Sequence, residues 1–356
     1  MQWLINFWYK PPNPLSYLLW PLHFILYLFV SLRRFLYSQA LYTSTKIDVP
    51  VIIVGNITVG GTGKSPLVIH LAENLTAAGY RVGVLSRGYG GNAENYPVQV
   101  EQSSSAAVVG DEPLMIKLRV DVSVVVDPLR SRGAKYLVEH CACDVILCDD
   151  GLQHYALQRD IEIVVIDGNR TLGNQLLMPL GPLREPVKRL KSVDAVVITR
   201  AITKAKTAGI TNPVTSEIIH PQQPNQFFMS LGSRQFVSVK DNTKVLSLEQ
   251  FNDYCIASNS TIDSVAGIGN PNRFFNQLKD LGIQCREHPF MDHHQFIETD
   301  FSDMNSIIIM TEKDAVKCSA FATESMWYLS VEADVKPSIV DYCLERLDNN
   351  SINKRN

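Results

Sequence analysis

The stretch VPVIIVGNITVGGTGKSPLVIHLAENLTAAG, residues 49–79, decides the architecture. Its β-branched run from Val51 to Val54 predicts a buried strand, and Gly63-Lys64-Ser65 opens an amphipathic helix. Between them lies a glycine-rich loop. Small residues there let backbone N–H groups converge on phosphate oxygens, and the helix N-terminus adds its partial positive charge. Thr58, Val59, Gly60, Gly61, Thr62, Gly63, Lys64 and Ser65 are therefore the expected nucleotide-phosphate residues. Lys64 would reach the β/γ-phosphates and the Ser65 hydroxyl would bind Mg²⁺. Pro66 suits the first helical turn, Leu67, Val68, Leu71 and Leu75 form a stripe, and Gly79 stands where a C-cap is expected. The pattern G-x-x-x-x-G-K-[ST] departs at Thr58, and the glycines resemble the GGxGK[ST] variant of nucleotide-dependent kinases and ATPases.

The chain has 356 residues, room for two domains of ordinary size, and its 46% hydrophobic and 19% charged content fits a large core. A net charge of −3 gives no electrostatic case for nucleic acid as a partner. The seven cysteines are odd in number and scattered, which argues against a disulfide framework and suits a reducing cytoplasm. CACDVILC lacks the second pair of a zinc site and runs into a buried strand. No obligate protein partner is evident.

The N-terminus differs from the rest. Leu15 to Leu32 reads LSYLLWPLHFILYLFVSL, without a formal charge apart from protonation of His23, and as a helix would extend about 27 Å. Trp3, Trp8, Tyr9, Tyr17 and Trp20 precede or enter it, and Arg33-Arg34 follow, as at a membrane interface. Pro21 should kink or break such a helix, so a partly inserted hairpin or a surface helix is the alternative to a span. A cleavable signal peptide is the competing reading, helped by Ser38-Gln39-Ala40, but it would export a nucleotide-dependent domain away from its nucleotide.

Short valine- and isoleucine-rich runs predict further strands at Arg81–Leu85, Val122–Val126, Val145–Cys148, Ile161–Ile166 and Val193–Ile198. The crossovers between them imply a doubly wound, mainly parallel sheet with ligands at strand C-terminal ends. The polar stretch Thr211–Asn225 reads as a boundary, and strands near Ser264–Ile268 and Ser306–Met310 open a smaller α/β unit. The expected organisation is a membrane-associated segment (1–45), a P-loop NTPase-type core (46–225), a smaller α/β domain (226–345) and a frayed tail (346–356).

Chemical groups cluster at the ends of these runs. Asp149 and Asp150, after Val145–Cys148, suit the second half of a Mg²⁺-nucleotide site, since Mg²⁺ needs only one or two carboxylates. Asp111 and Glu112 in VGDEP can cap the helix that follows. Asp292-His293-His294 pairs carboxylate with imidazole, as a base requires, without helical metal-ligand spacing. DPLRSR, with Arg130 and Arg132, and GPLREP, with Arg184, place arginine where it can fork onto phosphate. Lys188, Arg189 and Lys191 extend the second as either a solvated face or a contact to an anionic membrane. Thr311-Glu312-Lys313-Asp314 is similar to the [NT]KxD element that reads a nucleotide base.

VGNITVGGTGKSP, LSRGYGG, VGDEP, DDGLQH, GPLREP, AGIGNPNRFF, DHH and TEKDAVK, in this order, resemble the tetraacyldisaccharide 4′-kinase family of Gram-negative bacteria, from the N-terminal segment to about residue 320. The resemblance implies transfer of the ATP γ-phosphate to the 4′-hydroxyl of a lipid A disaccharide 1-phosphate precursor, giving lipid IVA at the cytoplasmic face of the inner membrane. It implies Asp111 as base, assisted by the histidine of DHH, His293 before His294. It sets Gln153 and His154 near the Asp149-Asp150 pair, and Arg130, Arg184 and Glu185 at the active-site rim. Ser65 stands where threonine is the commoner residue; both offer a hydroxyl. Two other readings lead elsewhere: a membrane-associated nucleotide-switch ATPase without a lipid acceptor, and a peripheral scaffold with a degenerate nucleotide site.

Overall fold

The computed structural model describes residues 8–9, 18–199, 225–258, 260–304 and 307–353. Trp3, Tyr17 and residues 211–224 of the expected boundary lie outside them. Helix α1 (Trp20–Ser38) comes first, with Pro21 in its opening turn. The proline expected to kink this helix starts it instead, where a missing N–H leaves no bond unmade. There follow β1 (Val51–Gly55), α2 (Lys64–Ala77), β2 (Val82–Ser86), β3 (Val98–Val100), α3 (Ala106–Val109), α4 (Asp111–Arg119) and β4 (Ser123–Val126). Then come α5 (Arg130–Cys141), β5 (Val145–Asp149), β6 (Ile161–Asp167), β7 (Ala195–Thr199), β8 (Gln226–Ser238), β9 (Val245–Ser247) and α6 (Leu248–Ser258). The chain ends with β10 (Ile262–Ala266), α7 (Pro271–Asp280), β11 (Arg286–Pro289), β12 (Ile307–Thr311), α8 (Glu312–Cys318), β13 (Met326–Lys336) and α9 (Ile339–Asn353). The tail read as frayed from residue 346 is helical to Asn353.

Two compact units divide the chain. The first comprises Met1–Arg87, Asp127–Ser230 and Asp334–Asn356; the second comprises Gly88–Val126 and Leu231–Ala333. In the first, the strands lie in the order β2-β5-β1-β6-β7, with the start of β8 beside β7, and all these pairings are parallel. Strands β1, β2, β5, β6 and β7 are buried along their whole length, which is why they read as unbroken apolar runs rather than alternating ones. From β1 the chain proceeds to β2 on one side and later to β6 and β7 on the other. Such a switch in strand order leaves a crevice at the C-terminal ends, where the loop after β1 and the end of β5 both lie.

In the second unit β11-β10-β12-β13 form a parallel set, and the end of β8 pairs antiparallel with β9. Its core is aromatic: Phe236 stacks on Phe251 at 3.9 Å between centroids, and Trp327 meets Phe251 edge-on. Ser123–Val126, expected among the parallel strands of the nucleotide core, pairs antiparallel with Val98–Val100 in this unit. Residues 88–126 belong here because α4 packs on α8: Arg119 places one guanidinium nitrogen 3.0 and 3.1 Å from the two Glu312 carboxylate oxygens and 2.9 Å from Ser330 Oγ.

Candidate active site

In the first unit the loop between β1 and α2 is held from within and from behind. Asn56, fully buried after β1, donates from Nδ2 to the Gly60 carbonyl at 3.2 Å and lies 3.4 Å from Thr62 Oγ1. Gly60 and Gly63 adopt φ of +105° and +94°, the left-handed backbone that favours glycine, which is why the loop needs them there. The Val59 N–H donates to Pro182 O at 2.8 Å and the Arg184 N–H to Ile57 O at 2.7 Å, so GPLREP forms the back of the loop. Thr58 bridges Leu183, and Thr62 and Ser65 are buried at the mouth of α2.

Opposite ends of a small charge relay meet at Asp150. Lys64 Nζ lies 3.7 Å from its Oδ1, and Arg184 donates to both carboxylate oxygens at 3.1 and 3.0 Å. Burial pushes the Asp150 carboxyl up, but Lys64 and Arg184 outweigh it and hold the group below its usual range. Its φ of +49° turns the chain at the end of β5. Asp149, the last residue of β5, is buried, and its carbonyl accepts from Arg130 at 3.1 Å.

Arg130 and Glu185 are not on an open rim. Arg130 is buried and donates to the carbonyls of Asp127 and Asp149, while Arg132 forks onto the Asp127 carboxylate at 2.7 and 2.9 Å. Glu185 is buried and accepts from Gln153 Nε2 at 2.9 Å and from the Tyr155 hydroxyl, with Arg189 3.3 Å away. Gln153 also donates to Asn56 O at 3.0 Å, tying the DDGLQH turn to the phosphate loop. These residues brace the cradle. His154 is half-buried, and its pKa falls to about 4, first through burial and then through Arg130, Arg159, Arg33 and Arg87. Among the described residues no three His, Cys, Asp or Glu side chains group as a metal cage.

In the second unit the structure brings VGDEP and DHH together. His293 Nδ1 lies 3.0 Å from Asp111 Oδ2 across 182 positions of sequence. Gly110, not Asp111, is the N-cap residue of α4, and no side chain caps it; Asp111 is the first helical residue, and its other oxygen accepts the Glu112 N–H at 2.9 Å. The two contacts use different oxygens of the same carboxylate. Burial pushes the Asp111 carboxyl up; the His293 hydrogen bond and Lys313 bring it below its usual range. His293 sits at φ +59°, a costly conformation for a non-glycine residue, secured by its N–H on Gly267 O at 3.2 Å. Tyr89 of LSRGYGG meets its ring edge-on at 4.8 Å. His294 is separate: its Nε2 lies 2.9 Å from Asp300 Oδ2, among Phe290 and Phe296.

Residues 15–348 match the model of the tetraacyldisaccharide-1-P 4′-kinase family. The chain belongs to this family. It is 44% identical over 330 residues to the tetraacyldisaccharide 4′-kinase of Pseudoalteromonas atlantica, covering 92% of this chain and 99% of that one. The counterpart from Methylobacillus flagellatus is 40% identical over 97% of this chain and 96% of its own. The crystal structure of "apo" form LpxK from Aquifex aeolicus in complex with ATP superposes with a TM-score of 0.73 at 27% identity, covering 94% of this chain and 99% of that one.

Membership in the tetraacyldisaccharide-1-P 4′-kinase family makes the chain a kinase; the surroundings of Asp314 correct the reading of TEKDAVK. Asp314 cannot read a base. It is fully buried, accepting the Gly267 N–H at 2.9 Å and the Thr311 hydroxyl at 2.6 Å, with Lys317 Nζ 2.6 Å away. Through Gly267 it supports the backbone that holds His293. Sequence reasoning missed Asn56, Tyr155 and Lys313 as site residues. Asn56 stood in the quoted loop, but nothing in its spacing marks an asparagine that ties a loop internally.

Proposed function

We propose that this kinase transfers the γ-phosphoryl group of ATP to the 4′-hydroxyl of a tetraacyldisaccharide 1-phosphate, giving lipid IVA at the cytoplasmic face of the bacterial inner membrane. The observation that carries the reading is the Asp111–His293 pair, because a sugar hydroxyl is a poor nucleophile at neutral pH and needs a placed base. The 4′-oxygen forms the new P–O bond, ADP leaves with the electrons of the broken one, and the hydroxyl proton passes to the Asp111–His293 pair. Thr58 to Ser65 would cradle the phosphates, with Lys64 facing the transferring group. The donor set of Ser65, in the first turn of α2, and Asp149 and Asp150, at the end of β5, is all oxygen, which suits Mg²⁺. Bound there, the ion would neutralise charge on the β- and γ-phosphate oxygens. Arg184 and His154 would contact the acceptor; the buried Arg130 and Glu185, with the half-buried Gln153, would hold the cradle in shape.

Helix α1 supports membrane attachment. Leu22, Phe24, Ile25, Leu28, Phe29, Leu32 and Phe35 are each at least half exposed, a contiguous apolar face of the kind soluble surfaces avoid. Among the described residues no helix is long and apolar enough to cross a membrane. The helix would therefore lie in the interface. Lys188 and Lys191 are exposed beside Ser192, which accepts from Arg34 at 2.7 Å, whereas Arg189 turns inward to Glu162 and Glu185. An assay of ADP release with and without the acceptor in mixed micelles tests the reading. Phosphate on the 4′-oxygen, with ADP release dependent on acceptor, is expected; equal ADP release in its absence would make the protein a hydrolase.

A further inference from the structure

Lys313 has no role in the reading above, yet its ammonium group is the meeting point of the second unit's charges. Its Nζ lies 3.0 Å from Glu112 Oε1, 3.5 Å from His293 Nε2 and 3.8 Å from Asp111 Oδ2. The side chain is largely buried, so water screens these contacts poorly. An ammonium carries three N–H donors and no acceptor. A donor facing His293 Nε2 needs a lone pair there, which leaves the ring hydrogen on Nδ1, directed at the Asp111 carboxylate 3.0 Å away. Two elements give this arrangement its rigidity. Thr311 caps α8, its side chain accepting the Asp314 N–H, and that first turn buries Asp314 against Gly267. Lys313 is thus fixed on the same turn that fixes the backbone of His293.

We propose that Lys313 is a positioning residue of phosphoryl transfer, selecting the His293 tautomer whose Nδ1–H donates to Asp111 and keeping the Asp111 carboxylate ionised. The inference rests on the assignment of Asp111 and His293 as the base. The groups facing Asp111 are His293 from the loop after β11 and Lys313 and Lys317 from α8; Glu112, on the helix of Asp111, faces Lys313, and Asp292 faces His293 at 3.8 Å. Glu312 of α8 is engaged by Arg119. Removal of Lys313 would therefore leave Asp111 and Asp292 beside one imidazole and take from Glu112 its lysine, with Lys317 as the remaining lysine that acts on Asp111.

The test compares kcat–pH profiles of the full chain and its Lys313→Met, Lys313→Arg and Asp111→Asn variants, with acceptor and ATP saturating. Lys313→Met should lower kcat on the order of 10-fold or more, a part of what acid–base help is worth, and leave KM for ATP within about twofold. Its acid limb should move upward by about one pH unit, because a carboxylate that loses a nearby cation protonates more readily. Lys313→Arg should restore the position of that limb. A wild-type profile for Lys313→Met, beside an impaired Asp111→Asn, would overturn the role of Lys313 alone; an unimpaired Asp111→Asn would overturn the base assignment beneath it. Should Lys313→Met fail to fold, the ¹⁵N shifts of the His293 ring in the unaltered protein decide: a protonated Nδ1 and bare Nε2 support the proposal, and the reverse tautomer overturns it.

Discussion

The phosphate loop of the first unit and the Asp111–His293 pair of the second place charge by opposite means. The loop draws Thr58 to Ser65 from eight consecutive positions, and its geometry follows from local rules: two glycines with positive φ, a buried asparagine and a helix N-terminus. The pair joins residues 182 positions apart, and its geometry is borrowed from neighbours, Gly267, Lys313 and Asp314, that are themselves distant in sequence. A locally built site tolerates change elsewhere; a borrowed one depends on the packing of α4 against α8.

The largest expected effect lies in the borrowed site. Asp111→Ala and His293→Ala should each lower kcat roughly 10²–10⁴-fold, the usual worth of general acid–base catalysis. The double variant should lose less than the product of the singles, since the two act as a unit. Multiplicative losses would dissolve the functional pair and leave Asp111 with its bond to the Glu112 N–H alone. His294→Ala should spare kcat, because His294 belongs to Asp300.

The local site should lose less. Lys64→Ala removes one preorganised charge from the transferring phosphates and should lower kcat roughly 10²–10³-fold. Arg184, which shares Asp150 with it, stays in place. Near-normal turnover would mean that the cradle works by its backbone alone. Acceptor KM should move little, in contrast to substitutions of Arg184.

This difference also explains what could be read before folding. The strand–loop–helix of residues 51–77, the mainly parallel character of the sheet around it and the acids after Val145–Cys148 follow from hydrophobic runs and turn chemistry, and β1, β2, β5, β6 and β7 lie close to their expected positions. Strands β8 and β13 escaped because QFFMSLGSRQFVS is broken by Gly-Ser-Arg and MWYLSVEADVK mixes charge into its second half. β11, REHP, is a polar edge strand whose arginine and histidine both serve the buried Asp263. The Asp111–His293 pair was legible only through family resemblance, since nothing in the spacing of VGDEP and DHH says that they meet. TEKD was legible as a motif and misread as to purpose, because burial of Asp314 is a tertiary fact.

A third outcome concerns α1, where local sequence and borrowed packing coexist. Its exposed face is apolar, but His23 Nδ1 lies 3.0 Å from Leu177 O, and the Trp8 indole donates to Pro179 O at 2.9 Å, in the loop that leads to GPLREP. Deleting the segment would therefore disturb the back of the phosphate loop as well. Substituting the outer face alone, Ile25→Gln, Phe29→Gln and Leu32→Gln together, should weaken binding to anionic-lipid vesicles on the order of 10²-fold. ATP affinity should not change. Vesicle binding that survives the triple substitution would move attachment to the lysines at 188 and 191.

The smallest effect is one of acid stability, and it contrasts the units by pH window. His154 in the first unit titrates near 4, lowered by burial and then by the arginines around it. Unfolding returns it to about 6.5, so between those values the unfolded chain takes up the extra proton and stability falls as pH drops. His70, also lowered by burial, adds to the same window. Asp111 in the second unit behaves differently. Despite the opposing effect of burial, its carboxyl is held below its ordinary value by His293 and Lys313. Its contribution is present above about pH 4 and is lost only as pH falls further. Asp150 in the first unit follows the same rule. Between pH 6.5 and 4.5, amide exchange should therefore quicken in the first unit before the second. His154→Gln, uncharged throughout, should shrink the fall in Tm across that window by on the order of 2 °C, while Asp111→Asn should leave its slope alone. An unchanged slope in His154→Gln would mean that neither burial nor the arginines around His154 lower its pKa, and the case for a cation-rich acceptor contact beside the DDGLQH turn would weaken with it.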